Sequence, residues 1–326
     1  MKLLLPDSIE LDLPDGLDGL DAVVYAVDRP IPDEHADAEA LVVWGNPARQ
    51  LSDAAERLTR LRWVQTLAAG PDAVLAAGFP PEVVITGGTG LHDVTVAEHT
   101  LALTLAAARR LHLLVRAQIG RRWAGELGGL QPVREPGSFR TLREARIAVW
   151  GFGGIAATLS PLLAALGARV TGVARTAGER HGFRVVTPAD LPGLLPETDV
   201  LINILPATKE TEHAVNAQVL SLLPPHAWLV NVGRGATVDE AALLDALRGH
   251  RLAGAALDVF DTEPLPDTSP LWDETNVIIS PHAAGGRPIG AAARIAENYR
   301  ANIFLSFLTH FLQLLSLLYS NCFIDV

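Results

Sequence analysis

One stretch constrains this chain more than any other: an apolar strand-like run, a glycine-rich turn and a helix-like run follow one another without a break. The segment is Ile147-Ala148-Val149-Trp150, then Gly151-Phe152-Gly153-Gly154-Ile155-Ala156, then apolar positions at Leu159, Leu162, Leu163 and Leu166. Its turn fits the pattern G-x-G-x-x-G/A, in which each small residue has its own task. The first makes the tight turn, the second lets backbone approach a pyrophosphate, and the third lets helix pack on strand. A helix that starts there offers free N–H donors and the positive end of its dipole to phosphates. In a chain with 28 glycines the pattern alone is weak. The strand before it and the helix after it supply the context that makes it informative. Gly151, Phe152, Gly153, Gly154 and Ile155 are therefore candidate dinucleotide-binding residues.

The same alternation recurs along the body. Val23 to Val27, Leu41 to Trp44, Trp63 to Leu67 and Val83 to Thr86 are short apolar runs closed by turn residues, as buried parallel strands are. Further runs lie at Val170 to Val173, Val200 to Leu205, Leu229 to Val232 and Val277 to Ser280. Between the two sets a long helix is expected to open at Thr95, with Glu98 at capping-box spacing, and to continue through Leu101, Leu105 and Leu111 to Val115. Repeated strand–helix units give doubly wound parallel sheets. At 326 residues the chain is too long for one ordinary domain of this kind and right for two.

Composition excludes several classes. A formal charge of −11 argues against a nucleic-acid partner, because phosphate backbones need a basic surface. It does not exclude a small anionic substrate, which needs only one or two placed cations. A single cysteine rules out a disulfide framework within the chain and a cysteine-rich metal site, and no metal is expected. The apolar run at Met1 to Pro6 is too short for a signal peptide, so the body reads as cytoplasmic.

Beyond the glycine turn, a dinucleotide site that prefers NAD usually offers Asp or Glu to the ribose hydroxyls about twenty residues on. Here the next strand ends in Val173-Ala174-Arg175-Thr176, with Arg180 nearby. Arginine in that place suits a 2′-phosphate, so NADP is the preferred coenzyme and NAD the alternative. Arg175 and Thr176 join the candidate cofactor residues.

Three later segments carry groups suited to reducing a carbonyl. Asn231-Val232-Gly233-Arg234-Gly235, Leu257-Asp258-Val259-Phe260-Asp261-Thr262-Glu263-Pro264 and Ser280-Pro281-His282-Ala283-Ala284-Gly285 each follow an apolar strand-like run. They therefore fall at carboxyl ends of strands, where open α/β sheets bind ligands. Arginine recognises a carboxylate through two parallel bonds, and histidine is the usual proton donor near neutral pH. A carboxylate partner orients the imidazole and favours its protonated form. Any one of the three residues alone has an ordinary structural explanation.

Arg234, Glu263 and His282, in that order and at spacings of 29 (263 minus 234) and 19 (282 minus 263), resemble the D-isomer-specific 2-hydroxyacid dehydrogenases. So do Leu61 to Gly70, which looks like that family's substrate loop, Val96-Ala97-Glu98-His99-Thr100, Pro206 to Thr211 and Asp239 to Leu243. The match runs from about residue 40 to 298. It implies two doubly wound α/β domains: a flavodoxin-like substrate domain from 1–97 and 287–326, and a Rossmann nucleotide-binding domain from 98–286. It further implies catalysis in a cleft between them, by Arg234, Glu263 and His282, with a small 2-keto or 2-hydroxy acid as substrate. Backbone amides at Ala69 and Gly70 would join Arg234 and His282 in holding that substrate. Asp258 would contact the nicotinamide carboxamide and Pro206 would line the dinucleotide site. Members are usually homodimers, so a homodimer with no membrane partner is expected.

Departures within the family narrow the branch. Glu263 stands where formate-oxidising members carry glutamine. Val43-Trp44-Gly45-Asn46-Pro47 replaces the arginine-containing segment of the phosphoglycerate branch. That leaves the glyoxylate/hydroxypyruvate reductase-like branch, with glyoxylate, hydroxypyruvate or pyruvate as substrates and Trp44 and Asn46 as pocket candidates. The alternative function is a dinucleotide-sensing protein of the same fold that acts through partner contacts. From Tyr299 onward, finally, the chain has no glycine or proline, and Ile303 to Ile324 is largely apolar. The abrupt change suggests a frameshifted or artificially appended tail, with a membrane anchor as the rival explanation.

Overall fold

Runs of three to five residues form the strands of two sheets, and Ala40–Val43, Trp63–Thr66, Val200–Asn203, Trp228–Asn231 and Gly254–Leu257 are buried along their whole length. The computed structural model describes residues 1–128 and 137–301. It divides into two units, Met1–Leu91 with Pro288 onward, and His92–Arg287.

In the first unit, β1 (Lys2–Pro6), β2 (Asp21–Tyr25), β3 (Ala40–Val43), β4 (Trp63–Thr66) and β5 (Val84–Thr86) are all parallel, in the order β2-β1-β3-β4-β5. This is the flavodoxin-like order. The sequence reading left β1 unassigned, yet it lies between β2 and β3 with Leu3 and Leu4 fully buried. An unbroken aliphatic run is what a strand covered on both faces requires. Successive side chains alternate between two cores. Leu4, Leu41 and Val43 join Leu51 and Ala54 of α1 (Ala48–Arg57) on one face. Leu3, Ala40 and Val42 join Ile295 and Tyr299 of the helical segment 291–301 on the other. The short α2 (Asp72–Ala76) follows the loop after β4.

The second unit opens with α3 (Asp93–Ala108) and α4 (Leu111–Ile119). Its sheet contains β6 (Arg146–Trp150), β7 (Arg169–Val173), β8 (Gly178–Arg180), β9 (Phe183–Val186), β10 (Val200–Asn203), β11 (Trp228–Asn231), β12 (Gly254–Leu257) and β13 (Val277–Ile279). Between them run α5 (Gly154–Ala165), α6 (Leu191–Leu194), α7 (Ala217–Leu222) and α8 (Glu240–Arg248). The strand order β13-β12-β11-β10-β6-β7-β9-β8 reverses direction at β6 and is parallel except for the edge strand β8. The carboxyl end of β6, where connections leave in opposite directions, is therefore the place where this topology binds a ligand.

The expected single helix from Thr95 to Val115 is corrected in two respects. It begins two residues earlier, at Asp93, and Thr95 makes no capping box. Its hydroxyl instead donates to the carbonyl of Gly285 at 2.6 Å. The helix also stops at Ala108, and Arg110 adopts a left-handed φ of 52° before α4 begins. Periodicity could not show this, because the apolar spacing continues across the break while the burial does not. Ala107 and Ala108 are buried, whereas Leu111, Leu114 and Val115 are exposed.

No helix among the described residues is long and apolar enough to cross a membrane. The apolar stretch from Ile303 to Ile324, on which the tail and anchor expectations rest, lies outside the described residues.

Candidate active site

The glycine turn between β6 and α5 has the features a pyrophosphate cradle needs. Gly151 has φ +99°, and a Cβ there would lie 2.7 Å from the carbonyl oxygen of Ile204. Only glycine fits. A Cβ on Gly153 would meet nothing within 4 Å, so its backbone is open to an approaching group. Gly153 caps α5 without a side-chain bond, which leaves the first N–H groups of the helix available. Ala156 is fully buried and closes the helix onto the sheet. Gly154 faces the Asp93 carboxyl, which burial pushes up from its ordinary pKa. Phe152 and Ile155 contribute differently from the glycines. The Phe152 ring is buried against Gly172 and tilted on Phe183 at 6.3 Å, and Ile155 packs on the same core. The burial of the Phe152 ring leaves only that residue's backbone to serve a ligand.

Arg175 and Thr176 are exposed at the end of β7. Arg180 of β8 folds back and donates to the hydroxyl of Thr176 and, at 3.0 Å, to its carbonyl. The Arg175 charge reaches Glu210, whose carboxyl is held low by Thr208, by backbone N–H and by Arg175. Pro206 is exposed past the end of β10, and its carbonyl accepts from Thr211 Oγ1 at 2.5 Å.

Arg234, Glu263 and His282 come from loops that leave the adjacent strands β11, β12 and β13. Backbone contact draws the first two loops together: a Cβ on Gly235 would fall 1.9 Å from the carbonyl carbon of Phe260. Glu263 Oε1 accepts from the Phe260 N–H at 3.0 Å, and Oε2 pairs with His282 Nδ1 at 2.7 Å. That pair fixes the proton of a neutral imidazole on Nδ1, so the protonated ring carries its second N–H on Nε2. Arg234 donates from Nη1 to the Gly233 carbonyl at 2.8 Å.

Charge follows geometry. The Glu263 bond raises the His282 pKa above the usual histidine value, overcoming partial burial and the opposing Arg234 charge. Burial pushes Glu263 up, but the bonds from His282 and Phe260 and the nearby positive charges hold it below the usual carboxylate range. Replacing Glu263 by Gln removes the main cause of the His282 shift, so the imidazole of Glu263→Gln is expected to titrate at lower pH. An NMR titration of the His282 ring protons measures this directly. An unchanged midpoint would disprove the coupling.

Asp258, expected at the nicotinamide, is fully buried within the His282 loop. Its Oδ1 accepts from Ser280 Oγ at 2.5 Å and from the Ala283 N–H at 2.9 Å, and Oδ2 accepts from the Ala284 N–H at 3.0 Å. Its carbonyl accepts from the His282 N–H at 2.7 Å. Sequence reasoning gave Ser280 no role, although Asp258 and Ser280 are each the first residue past paired strands, with Leu257 opposite Ile279. Glu240 was missed as well. It receives the Asp261 N–H at 2.8 Å and steadies the loop that carries Glu263.

In the other unit, Ala69 and Gly70 lie in the loop after β4, and their N–H groups have no partner among the described residues. Asn46 is committed to local structure: its amide bonds Tyr25 and Gln50, each at 2.7 Å, and accepts from the Trp44 N–H. Among the described residues no group of three or more His, Cys, Asp and Glu side chains could hold a metal ion.

A glycine cradle at the reversal point of a doubly wound sheet, beside a histidine–carboxylate pair and an arginine, defines a dinucleotide-dependent oxidoreductase. Residues 101–284 match the family model described as D-isomer specific 2-hydroxyacid dehydrogenase, NAD binding domain. A glyoxylate reductase of Aeropyrum pernix is 36% identical over 238 residues, 71% of this chain and 69% of that protein. Glyoxylate/hydroxypyruvate reductase B of Pectobacterium atrosepticum is 33% identical over 264 residues, 78% of each chain. A D-isomer specific 2-hydroxyacid dehydrogenase from Xanthobacter autotrophicus Py2, solved in complex with NADPH and MES, superposes with a TM-score of 0.73 at 33% identity, covering 92% of this chain and 93% of that one. The chain belongs to the D-isomer specific 2-hydroxyacid dehydrogenase family, in its glyoxylate/hydroxypyruvate reductase-like branch, and is an NAD(P)-dependent oxidoreductase.

Proposed function

We propose that the protein reduces a small 2-keto acid, glyoxylate or hydroxypyruvate, to the D-2-hydroxy acid with NADPH as preferred reductant. The observation that carries this reading is the His282–Glu263 pair at 2.7 Å on loops adjoining that of Arg234. When bound, the coenzyme supplies the hydride. Arg234 holds the substrate carboxylate, with the amides of Ala69 and Gly70 assigned to the same anion by family resemblance. Protonated His282 donates from Nε2 to the carbonyl oxygen, and Glu263 keeps the ring oriented and charged. Re-protonation from solvent restores the imidazolium.

The dinucleotide is assigned to Gly151, Gly153, Gly154 and the backbones of Phe152 and Ile155, with Pro206 lining the site and Asp258 near the nicotinamide. Preference for NADPH rests on exposed Arg175, which can pair with a 2′-phosphate and stack on adenine. The NADPH complex of the Xanthobacter relative supports it. We further assign a cytoplasmic location and a homodimer. The exposed apolar face of Leu111, Val115, Ile119 and Trp123 in the second unit is a suitable surface for a second copy.

The test is turnover of glyoxylate, hydroxypyruvate and pyruvate with NADPH and with NADH. Absence of turnover on all three would overturn the reading. In Arg175→Ala the NADPH-to-NADH ratio of kcat/KM is expected to fall about tenfold, the low end for a charge-assisted bond at an exposed site. An unchanged ratio would show that Arg175 is not the source of the preference.

A further inference from the structure

The His282 loop carries an unusual demand. His282 has φ +51°, a left-handed conformation that a non-glycine residue keeps only where its surroundings fix it. Asp258 supplies part of that fixing, but Asp258 is itself a fully buried carboxylate and needs its own partners. Ser280 and the amides of Ala283 and Ala284 supply them, and one face of α3 adds contacts to the same loop. His92, Thr95 and His99 are spaced by three and four residues, so they line up along the helix.

Each of them reaches the loop. His92 Nδ1 lies 2.9 Å from the Gly285 carbonyl, and Thr95 Oγ1 donates to the same oxygen at 2.6 Å. A carbonyl only accepts, so His92 carries its proton on Nδ1. His99 Nε2 lies 2.9 Å from Ser280 Oγ and 3.3 Å from Asp258 Oδ1. The Ser280 hydroxyl has one proton, and it is spent on Asp258 at 2.5 Å. His99 must therefore donate from Nε2, and the chain runs His99 to Ser280 to Asp258 to the amides of Ala283 and Ala284.

We infer that His99 is a positioning residue: through Ser280 and Asp258 it holds the His282 loop in the conformation the reaction needs. It touches neither substrate nor coenzyme in this role, and the inference rests on the proposed donor function of His282. Misplacing a reacting group by about 1 Å costs on the order of 100-fold in rate. Loosening the loop should thus lower kcat.

The experiment pairs hydrogen exchange with kinetics in the full chain, using His99→Phe, His99→Gln and Ser280→Ala. Phenylalanine keeps the ring volume and removes the donor, whereas the glutamine amide can place an N–H near the position of Nε2. Faster exchange at Ala283 and Ala284 is expected in His99→Phe and Ser280→Ala, with kcat lowered about 10–100-fold, and near wild-type behaviour in His99→Gln. Unchanged exchange in both His99→Phe and Ser280→Ala would overturn the inference. So would a loosened loop with wild-type kcat, or a glutamine variant as impaired as the phenylalanine one, which would mark a merely structural role. Should wild type turn over none of the three acids, the functional reading fails, and the exchange result alone then decides whether His99 fixes the loop.

Discussion

His282→Ala is expected to lower kcat by about 10²–10⁴-fold, the range that general acid catalysis supplies. The coenzyme should still bind, because the glycine cradle and the end of β7 are untouched by the change. The size of the loss follows from the absence of a substitute: alanine leaves no group at Nε2 to protonate the developing alkoxide. The pH profile adds a second signature. The active form has His282 protonated, and Glu263 raises its pKa, so wild-type kcat is high at low pH and declines as pH rises through that raised value. In the alanine variant this alkaline decline should disappear together with most of the activity. Steady-state kinetics and a fluorescence titration with NADPH separate the two effects. Near wild-type kcat in the variant would remove His282 from the mechanism.

What the sequence could reveal depends on how locally each feature is encoded. The glycine turn was readable because Gly151 answers a steric need of its own neighbourhood and β6 and α5 flank it directly. The sites of Arg234, Glu263 and His282 were readable because each follows an apolar strand, and parallel strands place their carboxyl ends along one edge. The bonds that organise them were not. Asp258 was read only for a ligand role, and its contacts with Ser280, Ala283 and Ala284 lie more than twenty residues away and are set by the pairing of β12 with β13. His99 was visible only as part of a motif, since its role depends on α3 crossing close to that loop. The break after Ala108 escaped because periodicity reports which residues share a face and says nothing about whether that face is covered. Strand β1 was overlooked because the aliphatic run Leu3 to Leu5, at the chain's start, was weighed only against the length of a signal peptide.

The second large effect is expected at Arg234. In Arg234→Leu, kcat/KM for the 2-keto acid should fall about 10²–10⁴-fold, the loss of two charge-assisted bonds to one carboxylate. Arg234→Lys should fall in between, because an ammonium keeps the charge but cannot make the paired, planar contact. The two variants differ in a second respect that binding alone would not produce. The Arg234 charge opposes protonation of His282, so its removal should raise the His282 pKa further and move the alkaline decline of kcat to higher pH. Lysine, which retains the charge, should leave that decline close to its wild-type position. Arg234 also helps hold Glu263 low, but Glu263 keeps its bonds from His282 and Phe260 in either variant, so the pair itself should persist. Kinetics across pH for wild type and both variants test the assignment. A loss below about tenfold in Arg234→Leu would mean that another group holds the carboxylate, and an unmoved alkaline decline would mean that Arg234 does not act on His282 at all.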